Sequence, residues 1–230
     1  GAEIFTEDKL LDLFDIGEAD FWIINYFTKK DHFNKNLFDS GINAMKSLYI
    51  NSGYINFKIV NIDTKFSPNN ASVDIVINIT EGSEYKLGDI TFSGDMLSYS
   101  ETDLISTLGL SSGDLFRRSD LISGIKAINH IYADHGYAYT SINPITTYSD
   151  QKNYINLNLD IELNKKIYIN RITINGNTRT QDDVIRREIG ISEGGLYSQS
   201  QLDESINKIR RLGFFSDVNM KVIKVNDFDD

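Results

Sequence analysis

The chain has 230 residues, 40% of them apolar and 24% charged, a balance that suits a folded chain able to bury a core. Its net charge of −10 argues against nucleic acid as a partner, because phosphate binding needs clustered Lys and Arg. With no cysteine, disulfides, thiolate chemistry and Cys-ligated zinc are excluded, and no apolar run approaches membrane-spanning length.

Thr6-Glu7-Asp8-Lys9 predicts a helix start. Residues Ile24 to Phe33, preceded by Phe21-Trp22, read as an insertion before a second helix. That helix carries Phe38, Ile42, Met45 and Tyr49 on one face and closes on Ser52-Gly53-Tyr54. Ile55 to Asp63 is expected to be a strand, and Val73, Ile75, Ile77 and Ile79 alternate as a second one.

Tyr85 to Asp95 predicts a short strand ending in a Gly-Asp turn. Ser100-Glu101-Thr102-Asp103 resembles a capping box, heading a helix through Leu104, Ile105 and Leu108 that stops near Gly109. The next helix places Leu121, Ile125, Ile128 and Tyr132 on one face, with Gly136 as its left-handed cap. A strand from Tyr139 to Ile145 follows, and Pro144 is expected to interrupt its pairing. Ile155, Leu157, Leu159, Ile161 and Leu163 alternate with polar residues, the clearest strand in the chain.

The third stretch opens the same way, with Tyr168 to Asn177 as strand and turn. Thr180 heads a helix through Val184, Ile185 and Ile189; Gly194-Gly195 breaks it; Ser198 or Ser200 starts the next, with Leu202, Ile206 and Ile209 inward. Val218 to Val225 reads as a strand.

The same Gly-aromatic closure thus occurs at Gly53-Tyr54, Gly136-Tyr137 and Gly213-Phe214, about eighty residues apart. The expected organisation is α+β: a tandem array of strand–helix–helix–strand–strand units over residues 1–82, 83–164 and 165–230. The first unit lacks its opening strand and the last its closing one, so the two remaining strands of the last unit are expected to go unpaired. Glu81-Gly82-Ser83 and Asn164-Lys165-Lys166 are the junctions, short enough to articulate without loose tethering.

No catalytic, cofactor or metal site is identified. His130 and His135 are five apart and do not share a helix face, and the third histidine is His32. Asp12, Asp15, Glu18 and Asp20 cluster without the spacing of a calcium loop. HExxH, Walker A and Gly-x-Ser-x-Gly sequences are missing.

The element order, with its Gly-Tyr closure, resembles POTRA (polypeptide-transport-associated) domains, periplasmic units that precede outer-membrane β-barrels. Ile79-Thr80-Glu81-Gly82-Ser83-Glu84-Tyr85-Lys86-Leu87 is similar to the linker between the third and fourth POTRA domains of the barrel-assembly branch. Val184-Ile185-Arg186-Arg187-Glu188 and Arg211-Leu212-Gly213-Phe214-Phe215 are similar to motifs of the fifth, and the insertion to the longer loop of the third. The resemblance covers the whole chain. It implies a three-stranded mixed sheet in the order first–third–second, two helices on one face, and a C-terminal β-barrel of the same protein.

The resemblance makes the second strand of each unit an edge, open to strand addition by another chain. The candidate peptide-binding edge is Ile55, Asn56, Phe57, Lys58, Ile59, Val60, Asn61 and Ile62, the longest and free of proline; Tyr139 to Ile145 and Val218 to Val225 are lesser candidates. Unfolded outer-membrane β-barrel precursors are the implied clients. Glu193, with Arg187 and Glu188, matches the docking site of accessory lipoproteins of the BamD type. Phe214 occupies the Tyr54/Tyr137 position and is expected to pack beneath the sheet, while Phe21 and Trp22 read equally as local core or binding patch. A POTRA array of a translocation-assembly or two-partner-secretion transporter, and a purely structural spacer array, remain open as alternatives.

Overall fold

A computed structural model describes residues 2–14, 35–66, 73–149 and 153–224. In chain order the elements are α1 (Glu7–Leu11), α2 (Lys35–Asn51), β1 (Lys58–Phe66), β2 (Val73–Thr80), β3 (Lys86–Gly94), α3 (Glu101–Leu108), α4 (Arg118–Asp134), β4 (Ser141–Ser149), β5 (Tyr154–Glu162), α5 (Asp182–Arg186) and α6 (Gln199–Arg211). The insertion at Ile24 to Phe33, Phe21, Trp22, His32 and the acids Asp15, Glu18 and Asp20 lie outside the described residues.

β1 and β2 form an antiparallel two-stranded sheet; β3, β5 and β4 form a three-stranded one in that order. Asp89 N–H donates to Asn156 Oδ1, Asn158 Nδ2 to Thr91 Oγ1 and Ser93 Oγ to Asp160 Oδ1, each pair 67 residues apart. A constant offset means that β3 and β5 run parallel, whereas the short connection from β4 to β5 closes only an antiparallel pair. The sheet is therefore mixed, in the expected order first–third–second, and the fold is α+β.

The described chain divides into two compact units. One comprises Gly1–Thr91, Leu110–Ile122 and Thr146–Asn158; the other comprises Phe92–Gly109, Ser123–Ile145 and Leu159–Asp230. In the first, Leu10, Met45, Tyr49 and Phe57 form one core cluster, and Ile59, Ile77 and Ile79 of the small sheet pack on it. The α2 face read from the sequence is the buried one: Phe38, Ile42, Met45 and Tyr49 are all inside. In the second, Ala133, Tyr197 and Leu202 are packed with Ile167, Ile169 and Ile191.

Local signals place the helix ends. Thr6 caps α1 by accepting Lys9 N–H at 3.4 Å. Ser100 and Asp103 form a reciprocal capping box on α3, and Gly109 closes it with φ 69°. Ser198, not Ser200, caps α6. α5 is shorter than its apolar spacing suggests, and Gln181 rather than Thr180 precedes it, without a side-chain cap.

Both complete Gly-aromatic turns are built alike. Tyr54 N–H donates to Tyr49 C=O at 3.0 Å and Gly53 N–H to Ile50 C=O at 3.2 Å. Tyr137 N–H donates to Tyr132 C=O at 3.1 Å and Gly136 N–H to Ala133 C=O at 3.0 Å. This is the two-bond Schellman closure, and φ values of 88° and 89° require glycine.

Each turn then receives the next copy of the pattern through one set of bonds. In the first unit, Tyr85 N–H donates to Gly53 C=O at 2.9 Å, Phe116 N–H to Tyr85 C=O, Leu87 N–H to Asp114 C=O and Gly113 N–H to Leu87 C=O. In the second, Ile167 N–H donates to Gly136 C=O at 2.9 Å, Tyr197 N–H to Ile167 C=O, Ile169 N–H to Gly195 C=O and Gly194 N–H to Ile169 C=O. The last residue of each long helix completes the joint: Asn51 Oδ1 accepts Ser119 N–H at 3.0 Å, and Asp134 Oδ1 accepts Ser200 N–H at 2.8 Å. Each thus caps the second helix of the following copy.

The third copy lacks the two strands read from the sequence, in keeping with the expectation that they go unpaired. Neither 168–177 nor 218–224 is a strand among the described residues; only an isolated bridge joins Tyr168 to Leu196. A single extended segment has no ladder to join, so its backbone does not become a strand. Phe214, expected beneath the sheet, is 63% exposed. No sheet forms over it; its ring meets only that of Phe215, edge-on with centroids 6.4 Å apart, among the described residues.

Candidate peptide-binding edge and docking loop

β1 pairs with β2 from Lys58↔Thr80 to Phe66↔Val73, with a bulge at Val60 between Ile59 and Asn61. Ile59 points to the core, held there by Ile77 and Ile79 of β2. On the solvent face, Asn61 Nδ2 and Asn78 Nδ2 both donate to the Asp63 carboxylate, at 2.9 and 3.2 Å. The Asn78 bond ties β2 to β1, and the Asn61 bond runs along β1 itself. The opposite edge of β1 meets no strand among the described residues. It offers nine residues of backbone without proline, with Val60 67% and Ile62 38% exposed beside it.

The expected edge is therefore corrected by three residues. Lys58, Ile59, Val60, Asn61 and Ile62 lie in β1, which continues to Phe66. Ile55, Asn56 and Phe57 do not; they form the turn that leads into it. Phe57 is buried and stacks on Tyr49, centroids 4.1 Å apart. Asn56 Nδ2 donates to Tyr85 Oη at 3.0 Å. β-branched and aromatic composition made these residues strand-like, but the Gly53 closure commits them to the turn: Phe57 N–H is already bonded to Tyr54 C=O.

The same turn is braced by Glu81 at the junction. Its carboxylate accepts Tyr49 Oη–H at 2.6 Å and the N–H groups of Glu3 and Ile4, each at 3.1 Å. Burial alone would raise this carboxyl; the Tyr49 hydroxyl and the two main-chain donors outweigh it and hold it below its ordinary value. Tyr49 is driven the other way, mainly by burial and then by its bond to Glu81, so it stays a donor.

The second candidate edge is β4, which spans Ser141–Ser149 rather than Tyr139 to Ile145. Pro144 sits inside it and does not break it. An edge strand tolerates proline when the nitrogen faces away from the neighbouring strand, so the free margin of β4 lacks a donor at that point. The third candidate, Val218 to Val225, is not a strand at its described residues 218–224.

Glu193 lies in the loop before α6. Its Oε1 accepts Ile172 N–H at 2.9 Å, while Arg186 Nη2 donates to Ile172 C=O at 3.2 Å. Loop acid and helix cation thus bond the two main-chain polar groups of one residue, Ile172. Ile172, Arg186, Ile189, Ile191, Ser192 and Glu193 line an open hollow there. Arg187 and Glu188 pair with each other at 3.5 Å, with Arg187 pointing to solvent. The sequence reading missed Arg186, the cation that shares Ile172 with Glu193. Of two adjacent exposed arginines, only the helix phase could have told which one reaches the Ile172 carbonyl.

Among the described residues no group of His, Asp or Glu is placed to hold a metal, and no helix is long and apolar enough to cross a membrane.

Comparison with known proteins extends these observations. Over 97% of its length the chain is 26% identical to the outer membrane protein assembly factor BamA of Neisseria meningitidis, of which it spans 28%. It is 25% identical over its full length to the BamA of Buchnera aphidicola, spanning 36% of that protein. The chain thus covers about a third or less of the length of these relatives. Its fold matches that of Haemophilus influenzae BamA POTRA3-5 with a TM-score of 0.75 at 22% identity, covering 100% of this chain and 89% of that one. The family model for POTRA, described as surface antigen variable number repeat, matches residues 1–82, 85–163 and 167–230. The chain belongs to the POTRA family.

Proposed function

We propose that this chain is a non-enzymatic periplasmic scaffold of the outer-membrane β-barrel assembly machinery, made of three POTRA domains over residues 1–82, 83–164 and 165–230. Its clients are unfolded outer-membrane β-barrel precursors. They add as an extra strand along β1, at Lys58 to Phe66, and a BamD-like lipoprotein docks at Glu193, Arg187 and Glu188.

The observation that carries this reading is the open margin of β1: nine residues of backbone, uninterrupted by proline, fixed on a buried core by Ile59. Main-chain pairing supplies affinity without demanding one sequence, which suits clients that share only alternating strands. Each added bond contributes about 1 kcal/mol net, so capture stays reversible unless several contacts act together. The whole-chain similarity to BamA proteins supports the assignment to this machinery. The hollow beside Glu193 supports a docking role for the loop, with the exposed Arg187, paired to Glu188, nearby in sequence.

An array of synthetic barrel-strand peptides tests the client reading. Several unrelated alternating sequences should bind, and a proline placed at outward-facing β1 positions should abolish binding while β1–β2 remains folded. If no peptide binds, the chain is a spacer. For the lipoprotein, Glu193→Lys should weaken binding in a titration, and unchanged affinity rejects the docking role.

A further inference from the structure

Both linkers are fastened to the turn that feeds an edge strand. In the first copy that turn runs from Gly53 to Phe57 and leads into β1. A Cβ on Gly82 of the linker would meet Asn56 Cβ at 3.0 Å, so the linker backbone lies directly on Asn56. Asn56 Nδ2 also donates to Tyr85 Oη at 3.0 Å, where the next copy begins. Phe57 stacks on Tyr49, and Tyr49 Oη donates to Glu81 at 2.6 Å. Glu81, Gly82 and Tyr85 are thus each held by the turn or by the ring stacked on it.

The second copy repeats the contact with different chemistry. Tyr139 lies three residues after Gly136, as Asn56 does after Gly53. Asn164 lies three residues before Ile167, as Gly82 does before Tyr85. Asn164 Nδ2 donates to Tyr139 C=O, so linker and turn meet again at the same two positions. Lys166 Nζ adds a contact over the Tyr137 ring, 5.4 Å from its centroid. This turn leads into β4, the edge strand of its sheet. One linker offers bare backbone and the other an amide side chain, so the contact is a property of the position and not of one residue type.

The same turn also carries the main-chain bonds of the joint: Tyr85 N–H to Gly53 C=O at 2.9 Å and Phe116 N–H to Tyr85 C=O at 3.0 Å. Segments that share contacts in this way open together. We propose that β1, its feeding turn and the linker behind it open and close as one unit, linked through Asn56, so that a strand added to β1 also locks the joint to the second copy. The inference rests on strand addition at β1, and the added strand need not touch the linker. A ligand that binds only the closed unit suppresses its opening by the factor 1 + [L]/Kd, and every amide that exchanges through that opening slows by the same factor.

The test is amide exchange of the isotope-labelled 230-residue chain with a capped peptide of alternating valine and threonine. With peptide at about ten times its Kd, the β1 amides should slow about tenfold, and those of Tyr85 and Phe116 by the same factor. Ile128, buried in α4, should not slow. In Asn56→Ala, a change at an exposed position, β1 should still slow about tenfold but Tyr85 and Phe116 no more than about twofold. Slowing in β1 without slowing at Tyr85 and Phe116 overturns the proposal and leaves strand addition intact. Equal slowing at Ile128 marks stabilisation of the whole chain and overturns it, as does Asn56→Ala with undiminished slowing at the joint. No slowing anywhere in β1 removes strand addition itself, and the proposal with it.

Discussion

Asp134, the last residue of α4, accepts three hydrogen bonds from the start of α6: Ser200 N–H at 2.8 Å, Ser200 Oγ at 2.6 Å and Ser198 Oγ at 2.9 Å. One side chain thus ends its own helix and caps the next. Its counterpart Asn51 does the same for Ser119 with a single bond. Asp134→Ala should therefore cost about 1–2 kcal/mol, the upper part of the capping range, because Ser198 is buried and loses its acceptor. Asn51→Ala should cost about 0.5–1 kcal/mol. Urea unfolding of both variants checks the order; equal losses contradict the account of the joint.

The closing glycines divide by whether they are covered. Gly53→Ala and Gly136→Ala each force a non-glycine residue to φ near +90° and drive a methyl group into a leucine. Each should cost about 2–4 kcal/mol, the left-handed penalty plus overpacking. Gly213→Ala meets no neighbour among the described residues and should cost only the backbone part, about 1–2 kcal/mol. Thermal or urea midpoints of the three variants measure the contrast.

Tyr49→Phe keeps the ring that stacks on Phe57 but deletes the hydroxyl bonded to Glu81. The expected loss is about 1–2 kcal/mol, since the acceptor is charged. The same substitution should loosen the amino-terminal residues, because Glu81 also holds the N–H groups of Glu3 and Ile4. Amide exchange at those two positions reports it.

Acid should release both braces. Glu81 and Asp134 are held below their ordinary carboxyl values; at Asp134, as at Glu81, burial alone would act in the opposite direction, and the Ser200 and Ser198 donors with nearby His130 outweigh it. A depressed carboxyl contributes its full stability above its unfolded value, about pH 4, and loses it as pH falls through the folded value. The stability gap between wild type and Glu81→Gln or Asp134→Asn should therefore be constant from pH 7 to about pH 5 and shrink toward pH 3. Unfolding midpoints across that range decide it; a gap that widens in acid contradicts the sign.

What the sequence made legible was local. The Ser100 box, the Thr6 cap and the Gly136 closure each need only a few neighbouring residues, and each forms as read, while the structure chooses Ser198 from the pair Ser198 or Ser200 as the α6 cap. Strict alternation likewise located β5, whose Ile155, Leu157, Leu159 and Ile161 are all buried. Features that depend on a distant partner were harder to read. Ile172 and Ile174 alternate like strand residues, but no second strand pairs with them among the described residues. Phe214 sits where Tyr54 and Tyr137 do, yet the leucine that covers the earlier glycines comes from the following copy. Asn51 and Asp134 carry no motif; only superposing the three glycine turns reveals that the residue two places before each one is a joint position. In the candidate site, the turn residues Ile55 to Phe57 were drawn into the edge because composition alone does not separate a strand from the tight turn that feeds it.

Amide hydrogen exchange of the isolated chain, with and without an unfolded barrel precursor, tests strand addition most directly. Pairing along β1 should slow alternate amides from Lys58 to Phe66, those facing away from β2, and leave Ser141–Ser149 of β4 unchanged. Unchanged exchange throughout β1 while the precursor is bound would contradict it, as would protection confined to helix faces.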